Sequence, residues 1–155
     1  MSAAMSRTLA TCCVPLLLLT TIAAAATQPA SPQAAIREVL NKQVEAWNRK
    51  DLQGFMQGYW RSPELTFVSG ATVYRGWDNA LERYRKAYQS EGKQMGQLAF
   101  SDMQIETLGP SAALVRGAFH LAMPDGKQPH GVFTLVFRKF PEGWRIIHDH
   151  TCAAQ

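Results

Sequence analysis

The chain has 155 residues with 16 Lys or Arg and 12 Asp or Glu, a formal net charge of +4, and its length is typical of one domain. The basic residues are scattered, without a Lys/Arg run or a basic–aromatic array, so we expect no nucleic-acid partner. Gly-rich phosphate loops, nucleophile elbows, paired-cysteine motifs and calcium loops are absent from the sequence, which excludes nucleotide-driven chemistry and zinc-finger roles.

The N-terminus has the pattern of a secretory signal peptide. Arg7 precedes a short apolar run at residues 14–22, and small residues follow at 23–26. The run is shorter than the roughly 20 apolar residues that span a bilayer, although an uncleaved anchor is the alternative. We predict a signal peptide over residues 1–26, a linker over 27–33, and a periplasmic or secreted mature chain with no membrane contact after cleavage.

Three helices are predicted next. Ser31 and Pro32 are typical of an N-cap and a first helical residue, and Asp51 is expected to cap a second, short helix. Apolar residues recur at spacings of three and four in the first helix, at Ile36, Leu40, Val44 and Trp47. Strands at 65–69 and 72–75 precede a third helix, which Gly76 opens and which presents Trp77, Leu81, Tyr84 and Tyr88.

Four long strands are predicted in the C-terminal half, at residues 98–108, 112–123, 130–140 and 144–151. Tight turns rich in Pro and Gly separate them. Helices followed by strands joined through short turns indicate an α+β domain with a mostly antiparallel sheet. Because side chains alternate along a strand, Phe119, Phe133 and Leu135 share the more aromatic side, which we expect to face the helices.

The orientation of the last strand depends on the preceding turn. A four-residue turn over 140–143 would place Leu135 opposite His148 and Phe133 opposite His150, with both histidines inside. A three-residue turn would put the histidines outside, because a shift of one residue reverses every side chain. We favour the inward orientation, since it gives Ile146 a core to fill.

Two histidines in this strand are the candidate catalytic residues. His148 and His150 point the same way, and imidazoles titrate near neutral pH, so they suit general acid–base work. A structural hydrogen-bonding role and a metal site are the alternatives, although a closed metal site needs more ligands. Asp149 is expected on the outer face, in a solvated pair with Arg145 or Arg138.

The sequence also resembles a known superfamily. The segments that carry the likeness are Ala46-Trp47-Asn48, Asp51-Leu52, Tyr74-Arg75-Gly76 and the tail at residues 143–152. They resemble the nuclear transport factor 2-like domains of unknown function grouped with the SnoaL-like proteins, over about residues 34–152. The tail is also similar to the association domain of calcium/calmodulin-dependent kinase II.

This resemblance implies a cone, in which a curved, mostly antiparallel sheet packs on three N-terminal helices. It also implies a homodimer or higher homo-oligomer formed through the sheet. Family enzymes include isomerases, dehydratases and cyclases that place acidic or histidine side chains inside the cone. This chain lacks an interior Asp pair matching the steroid isomerases, and Phe119 and Leu135 occupy positions that hold arginines in the kinase association domain.

We therefore expect an exported pocket protein, either a binder or a cofactor-free acid–base enzyme, whose ligand is a small apolar or amphipathic molecule. His148 and His150 would be its catalytic groups, with no metal and no cofactor. The predicted ligand-binding residues are Trp47, Tyr59, Phe67, Phe119, Phe133 and Leu135. The alternative is a non-catalytic association module that assembles through the outer sheet face, where Val132 and Val136 lie.

Overall fold

The computed structural model describes residues 30–154. The predicted signal peptide, its cleavage site and residues 27–29 of the linker lie outside this range. Within residues 30–154, no helix combines the length and the apolar character needed to cross a bilayer.

Local capping sets where the helices begin. Helix α1 (Pro32–Asn48) starts after Ser31, whose Oγ accepts a hydrogen bond from the Ala34 amide at 3.2 Å. Helix α2 (Leu52–Met56) starts after Asp51, whose Oδ1 accepts from the Gly54 amide at 2.8 Å. Both predicted N-caps are confirmed. Helix α3 spans Trp77–Tyr88 and follows Gly76, whose φ of 88° suits glycine.

Within residues 30–154, six strands form one sheet. They are β1 (Thr66–Ser69), β2 (Thr72–Arg75), β3 (Gln97–Thr107), β4 (Ala112–Ala122), β5 (His130–Phe140) and β6 (Gly143–Ala153). The spatial order is β2-β1-β6-β5-β4-β3, and neighbours are antiparallel except for the parallel pair of β1 and β6. The predicted fold class, α+β with a curved, mostly antiparallel sheet and three helices, is confirmed.

The helices cover the side of the sheet that the alternation pattern predicted. Phe133, Leu135 and Phe137 of β5 are all buried, as are Val115 and Leu121 of β4. Hydrogen bonds tie α1 to the start of β3, where the Trp47 Nε1 donates to the Gly96 carbonyl at 3.0 Å. The core therefore lies between the helices and the inner face of β4 to β6.

A β-bulge interrupts the pairing of the last two strands. The turn brings Phe137 opposite Ile146, as predicted. The next pair joins Val136 to His148, so that Ile147 is an extra residue in β6. An inserted residue exchanges the two sides of the rest of its strand.

Beyond the bulge the predicted register is wrong. Leu135 lies opposite Asp149, and Thr134 lies opposite His150. Asp149 therefore joins the inner, aromatic face, while His148 and His150 lie on the outer face. The expected four-residue turn is present, but the additional residue Ile147, four positions after the turn ends, reverses the orientation of the side chains that follow it.

The bulge lies where β6 changes partners on its other edge. The Ile146 amide donates to the Gly58 carbonyl at 2.9 Å, and the Ile146 carbonyl accepts from the Trp60 amide at 2.9 Å. From His148 onward that edge instead pairs with β1, beginning at Thr66. Two separate segments therefore share one edge of β6, and the extra residue lies at their junction.

Candidate functional site

An aromatic cavity of about 140 Å³ lies between the helices and the inner face of the sheet. All six residues predicted to bind a ligand line it, namely Trp47, Tyr59, Phe67, Phe119, Phe133 and Leu135. Rings from the helices complete the wall, including Phe55, Tyr84 and Tyr88. The predicted position of the six residues is therefore correct, and their role in binding remains a prediction.

A carboxyl group lies inside this apolar wall. Asp149 is only 2% exposed and lines the cavity. Its Oδ2 accepts a hydrogen bond from the Tyr59 hydroxyl at 2.7 Å, and its Oδ1 accepts from the Thr151 hydroxyl at 2.7 Å. Each carboxyl oxygen thus has one hydroxyl donor, which satisfies part of the hydrogen bonding that burial removes.

The hydroxyl chain continues to helix α3. The Tyr84 Oη lies 3.3 Å from the Tyr59 Oη, so that Thr151, Asp149, Tyr59 and Tyr84 form one connected row. Burial raises the pKa of both tyrosines well above its ordinary value, and the nearby charge of Asp149 adds to the effect. Both phenols therefore remain protonated hydrogen-bond donors at physiological pH.

The surroundings also shift the titration of the carboxyl group. Burial raises the pKa of Asp149 to about 6, against the opposing effects of the Thr151 and Tyr59 hydrogen bonds and the charge of Arg83. A pKa near the working pH lets a group both accept and return a proton. Asp149 therefore has the protonation behaviour expected of an acid–base catalyst.

The predicted inward orientation of the two histidines is wrong. His150 is exposed and His148 is half-buried on the outer sheet face, and neither lines the cavity. Burial, followed by the neighbouring His150, lowers the pKa of His148. The bulge at Ile147 is the physical reason, since it turns the histidines outward.

The predicted surface pairing of Asp149 with Arg145 or Arg138 is wrong for the same reason.

One signal for the bulge is present in the sequence. The adjacent apolar residues Ile146 and Ile147 interrupt the alternation that begins at Trp144, and an inserted residue interrupts a strand's alternation in the same way.

Sequence reasoning also missed Arg83, which reaches the cavity from α3. It is half-buried, and its Nη2 donates to the Ser69 Oγ at 3.0 Å. Its guanidinium carbon lies 5.4 Å from the ring centre of Phe67 and 5.2 Å from that of Tyr84. The helical pattern identified the apolar face of α3 but gave no reason to single out the residue beside Tyr84.

The part of the chain that the structure describes holds no cluster of three or more His, Cys, Asp or Glu side chains arranged to bind a metal ion. The groups that can take part in chemistry within the aromatic cavity are the hydroxyls of Thr151, Tyr59 and Tyr84 and the two charged side chains, Asp149 and Arg83.

Comparison with known proteins relates the chain to solved structures and to a family. No curated protein matches the chain. A protein of unknown function from Shewanella oneidensis, described as NTF-2-like, is 37% identical, with a TM-score of 0.72 over 78% of this chain and 98% of that one.

Two more distant structures share the fold. A ketosteroid isomerase-like protein from Erwinia carotovora is 18% identical, with a TM-score of 0.65 over 81% of this chain and 98% of that one. A candidate calcium/calmodulin-dependent protein kinase type II association domain from Thiobacillus denitrificans is 17% identical, with a TM-score of 0.64 over 77% and 94%. At these identities the likeness concerns the fold alone.

The SnoaL-like domain family matches residues 36–154, which include all of the sheet and nearly all of α1. The chain therefore belongs to the SnoaL-like domain family, within the nuclear transport factor 2-like superfamily.

Proposed function

We propose that the mature, exported protein binds a small cyclic molecule in its aromatic cavity and catalyses proton transfer at Asp149. The observation that carries this proposal is a carboxyl group, 2% exposed, whose two oxygens are held by hydroxyl donors inside an apolar cavity. Buried titratable groups in apolar pockets are characteristic of catalytic sites. The family relationship supports the reaction class, and the arrangement of the side chains supports the residue assignment.

The size of the cavity supports a compact ligand. Its volume of about 140 Å³ is close to that of an engineered apolar cavity of about 150 Å³ that binds benzene. A six-membered ring with short substituents therefore suits it. The rings that line the walls offer such a ligand both apolar contact and edge-to-face packing.

The proposed reaction begins at a carbon next to a carbonyl group. The Asp149 carboxylate takes a proton from that carbon, and the C–H electron pair forms a carbon–carbon double bond while the carbonyl oxygen gains the negative charge. Tyr59 donates its one hydroxyl hydrogen to Asp149, so the Tyr84 hydroxyl turns its hydrogen from Tyr59 to that oxygen and stabilises it. In a substrate with a carbon–carbon double bond beside that carbon, Asp149 then returns the proton to the far end of that bond. The bond moves into conjugation with the carbonyl group, which gives an isomerase with no external oxidant or cofactor.

Deuterium exchange tests this proposal without knowledge of the natural substrate. We expect the wild-type protein to speed exchange of the α-hydrogens of cyclohexanone or cyclohex-2-enone in D₂O, followed by proton NMR. Asp149→Asn should reduce the protein-dependent rate by about 100-fold or more, since general acid–base groups contribute about 10² to 10⁴. The matched control is Asp78→Asn, which alters an exposed carboxylate on α3. Equal rates for Asp149→Asn and wild type would contradict the assignment.

A second candidate function, assembly through the outer sheet face, is favoured by one observation. Val132 on β5 is 62% exposed, and half-buried Leu114 and Val136 lie on the same face. Exposed apolar side chains grouped on a sheet face are typical of an interface between protein subunits. A homodimer formed there is compatible with catalysis inside each cone.

We expect Val132→Glu to shift this protein from dimer to monomer in size-exclusion chromatography with light scattering, because burying an unpaired carboxylate is costly. Leu108→Glu is the matched control, since Leu108 is also exposed, at 56%, but lies in the turn after β3. A wild-type protein that is monomeric at about 100 µM, or a Val132→Glu variant that remains dimeric, would refute the second candidate.

A further inference from the structure

We infer that the molecule bound in the cavity carries a carboxylate on its small cyclic body, and that Arg83 holds this carboxylate at the mouth of the cavity. This inference rests on the proposed function and deepens it, since it assigns the charge of the substrate and a residue that selects for it.

Exposure distinguishes the mouth of the cavity from its floor. The floor consists of fully buried side chains, among them Trp47, Phe55, Phe133 and Asp149. Among the lining residues, Pro129 and Ala153 are exposed, and those that are half-buried are Ser69, Arg83, Tyr88, Phe100, Phe119 and Thr151. Arg83 therefore lies where an entering molecule meets the protein, with Asp149 deeper in the same cavity.

The charge of Arg83 has no carboxylate partner within the described residues. The ion pairs found there are made by other cations, and the contacts of Arg83 are the neutral Ser69 hydroxyl and aromatic rings. A guanidinium has five N–H donors, and one bond to Ser69 leaves most of them available. An aromatic-lined cavity thus presents a cation with unused donors.

Stacking fixes the direction of these donors. The guanidinium carbon lies 5.4, 5.2 and 5.8 Å from the ring centres of Phe67, Tyr84 and Tyr88. A planar guanidinium held in this way is suited to bidentate recognition of a carboxylate, and little side-chain entropy remains to be lost on binding.

Arg83 and Asp149 would each contact a different part of one ligand. Phe67 lies opposite Asp149 in the sheet and beneath Arg83, so that it neighbours both charged residues. A ligand ring packed on Phe67 would present its carboxylate to Arg83 and its reacting carbon to Asp149. The positive charge of Arg83 would also offset the repulsion between an anionic ligand and the Asp149 carboxylate.

Two ring compounds of nearly equal shape test the inference. We expect benzoate to bind the wild-type protein about tenfold or more tightly than the neutral benzamide, because hydrogen bonds to charged groups are the stronger ones. Binding is measured by isothermal titration calorimetry or by NMR. Arg83→Gln should abolish this preference by weakening the binding of benzoate far more than that of benzamide, and benzamide binding that persists shows that the cavity is intact. Lys86→Gln, which removes an exposed cation on the same helix, should keep the preference.

The outcomes separate this inference from the proposed function. Equal affinity of the wild type for the two compounds, or a preference that persists in Arg83→Gln, overturns the role of Arg83 and leaves the proposed function standing. Failure of both compounds to bind the wild type contradicts a cavity that accepts six-membered rings, and overturns both. If Arg83→Gln does not fold, Arg83→Met, which keeps much of the stem that packs on the rings, takes its place with the same expected loss of preference.

Discussion

Asp149→Asn is expected to stabilise the protein by about 2 kcal/mol near pH 8, although it removes two hydrogen bonds to a carboxylate. The pKa of Asp149 is raised to about 6 in the folded protein from an ordinary value of 3.8, so ionising it costs more in the folded state than in the unfolded chain. A shift of about two units corresponds to about 3 kcal/mol. Asn avoids this cost and loses part of the hydrogen bonding, which leaves the smaller net gain.

The sign of the pH dependence follows from linkage. Between about pH 4 and 6 the folded protein holds a proton on Asp149 that the unfolded chain releases, so this group's contribution to stability is largest below pH 4 and is lost as the pH rises through 6. Urea unfolding at pH 5 and pH 8 should therefore show a smaller difference for Asp149→Asn than for wild type. Asp78→Asn serves as the control. A variant that is less stable at pH 8 and keeps the wild-type difference would contradict the burial of an ionisable Asp149.

Trp47→Ala is expected to destabilise the protein by about 3–5 kcal/mol, the range for removing a buried Trp or Phe side chain. Trp47 is 3% exposed and packs edge-on against Phe55, Tyr84 and Tyr88. Its Nε1 is also a donor to the Gly96 carbonyl. The substitution therefore empties one wall of the cavity and removes a tie between α1 and the start of β3.

Trp60→Ala provides the comparison for Trp47→Ala in urea unfolding. Trp60 is half-buried and stacks on Phe140 at the surface, so its loss should cost clearly less, about 1–2 kcal/mol. Similar losses for the two variants would show that Trp47 is not the central packing element of the cavity wall.

The buried carboxylate and the aromatic wall have opposite effects on stability. Burial of the rings of Trp47, Phe67 and Tyr84 stabilises the folded protein, because apolar surface leaves water. Ionisation of Asp149 among these rings destabilises it. Asp149→Asn would stabilise the protein while removing its proposed catalytic group, which is the result expected where stability and activity conflict. The two variants therefore separate a residue that holds the cavity together from the residue proposed to transfer the proton.

Much of the fold is determined by local signals that the sequence displays. Ser31 and Asp51 cap helices because their side-chain oxygens reach nearby amides. The alternation of Phe133, Leu135 and Phe137 identified the inner face, because one side of the sheet must be covered by helices. These features depend on neighbours a few residues apart, and this is why all six predicted lining residues lie at the cavity.

The polar part of the site depends on contacts that are distant in sequence. The extra residue Ile147 lies where β6 passes from the segment at Gly58 and Trp60 to strand β1. That junction links residues almost 90 positions apart, and the adjacent Ile146 and Ile147 are its one trace in the alternation pattern. The prediction therefore oriented His148 inward and Asp149 outward, the reverse of the structure.

The titration of the Asp149 carboxyl group tests the account most directly. The carboxyl carbons of aspartate can be followed by carbon-detected NMR between pH 3 and 9, and the signal missing from Asp149→Asn identifies the residue. A midpoint of about 6 is the result predicted by a carboxyl group buried between Tyr59 and Thr151. A midpoint near 3.8, the ordinary value, would place Asp149 in water and contradict both the inward orientation and the proposed chemistry.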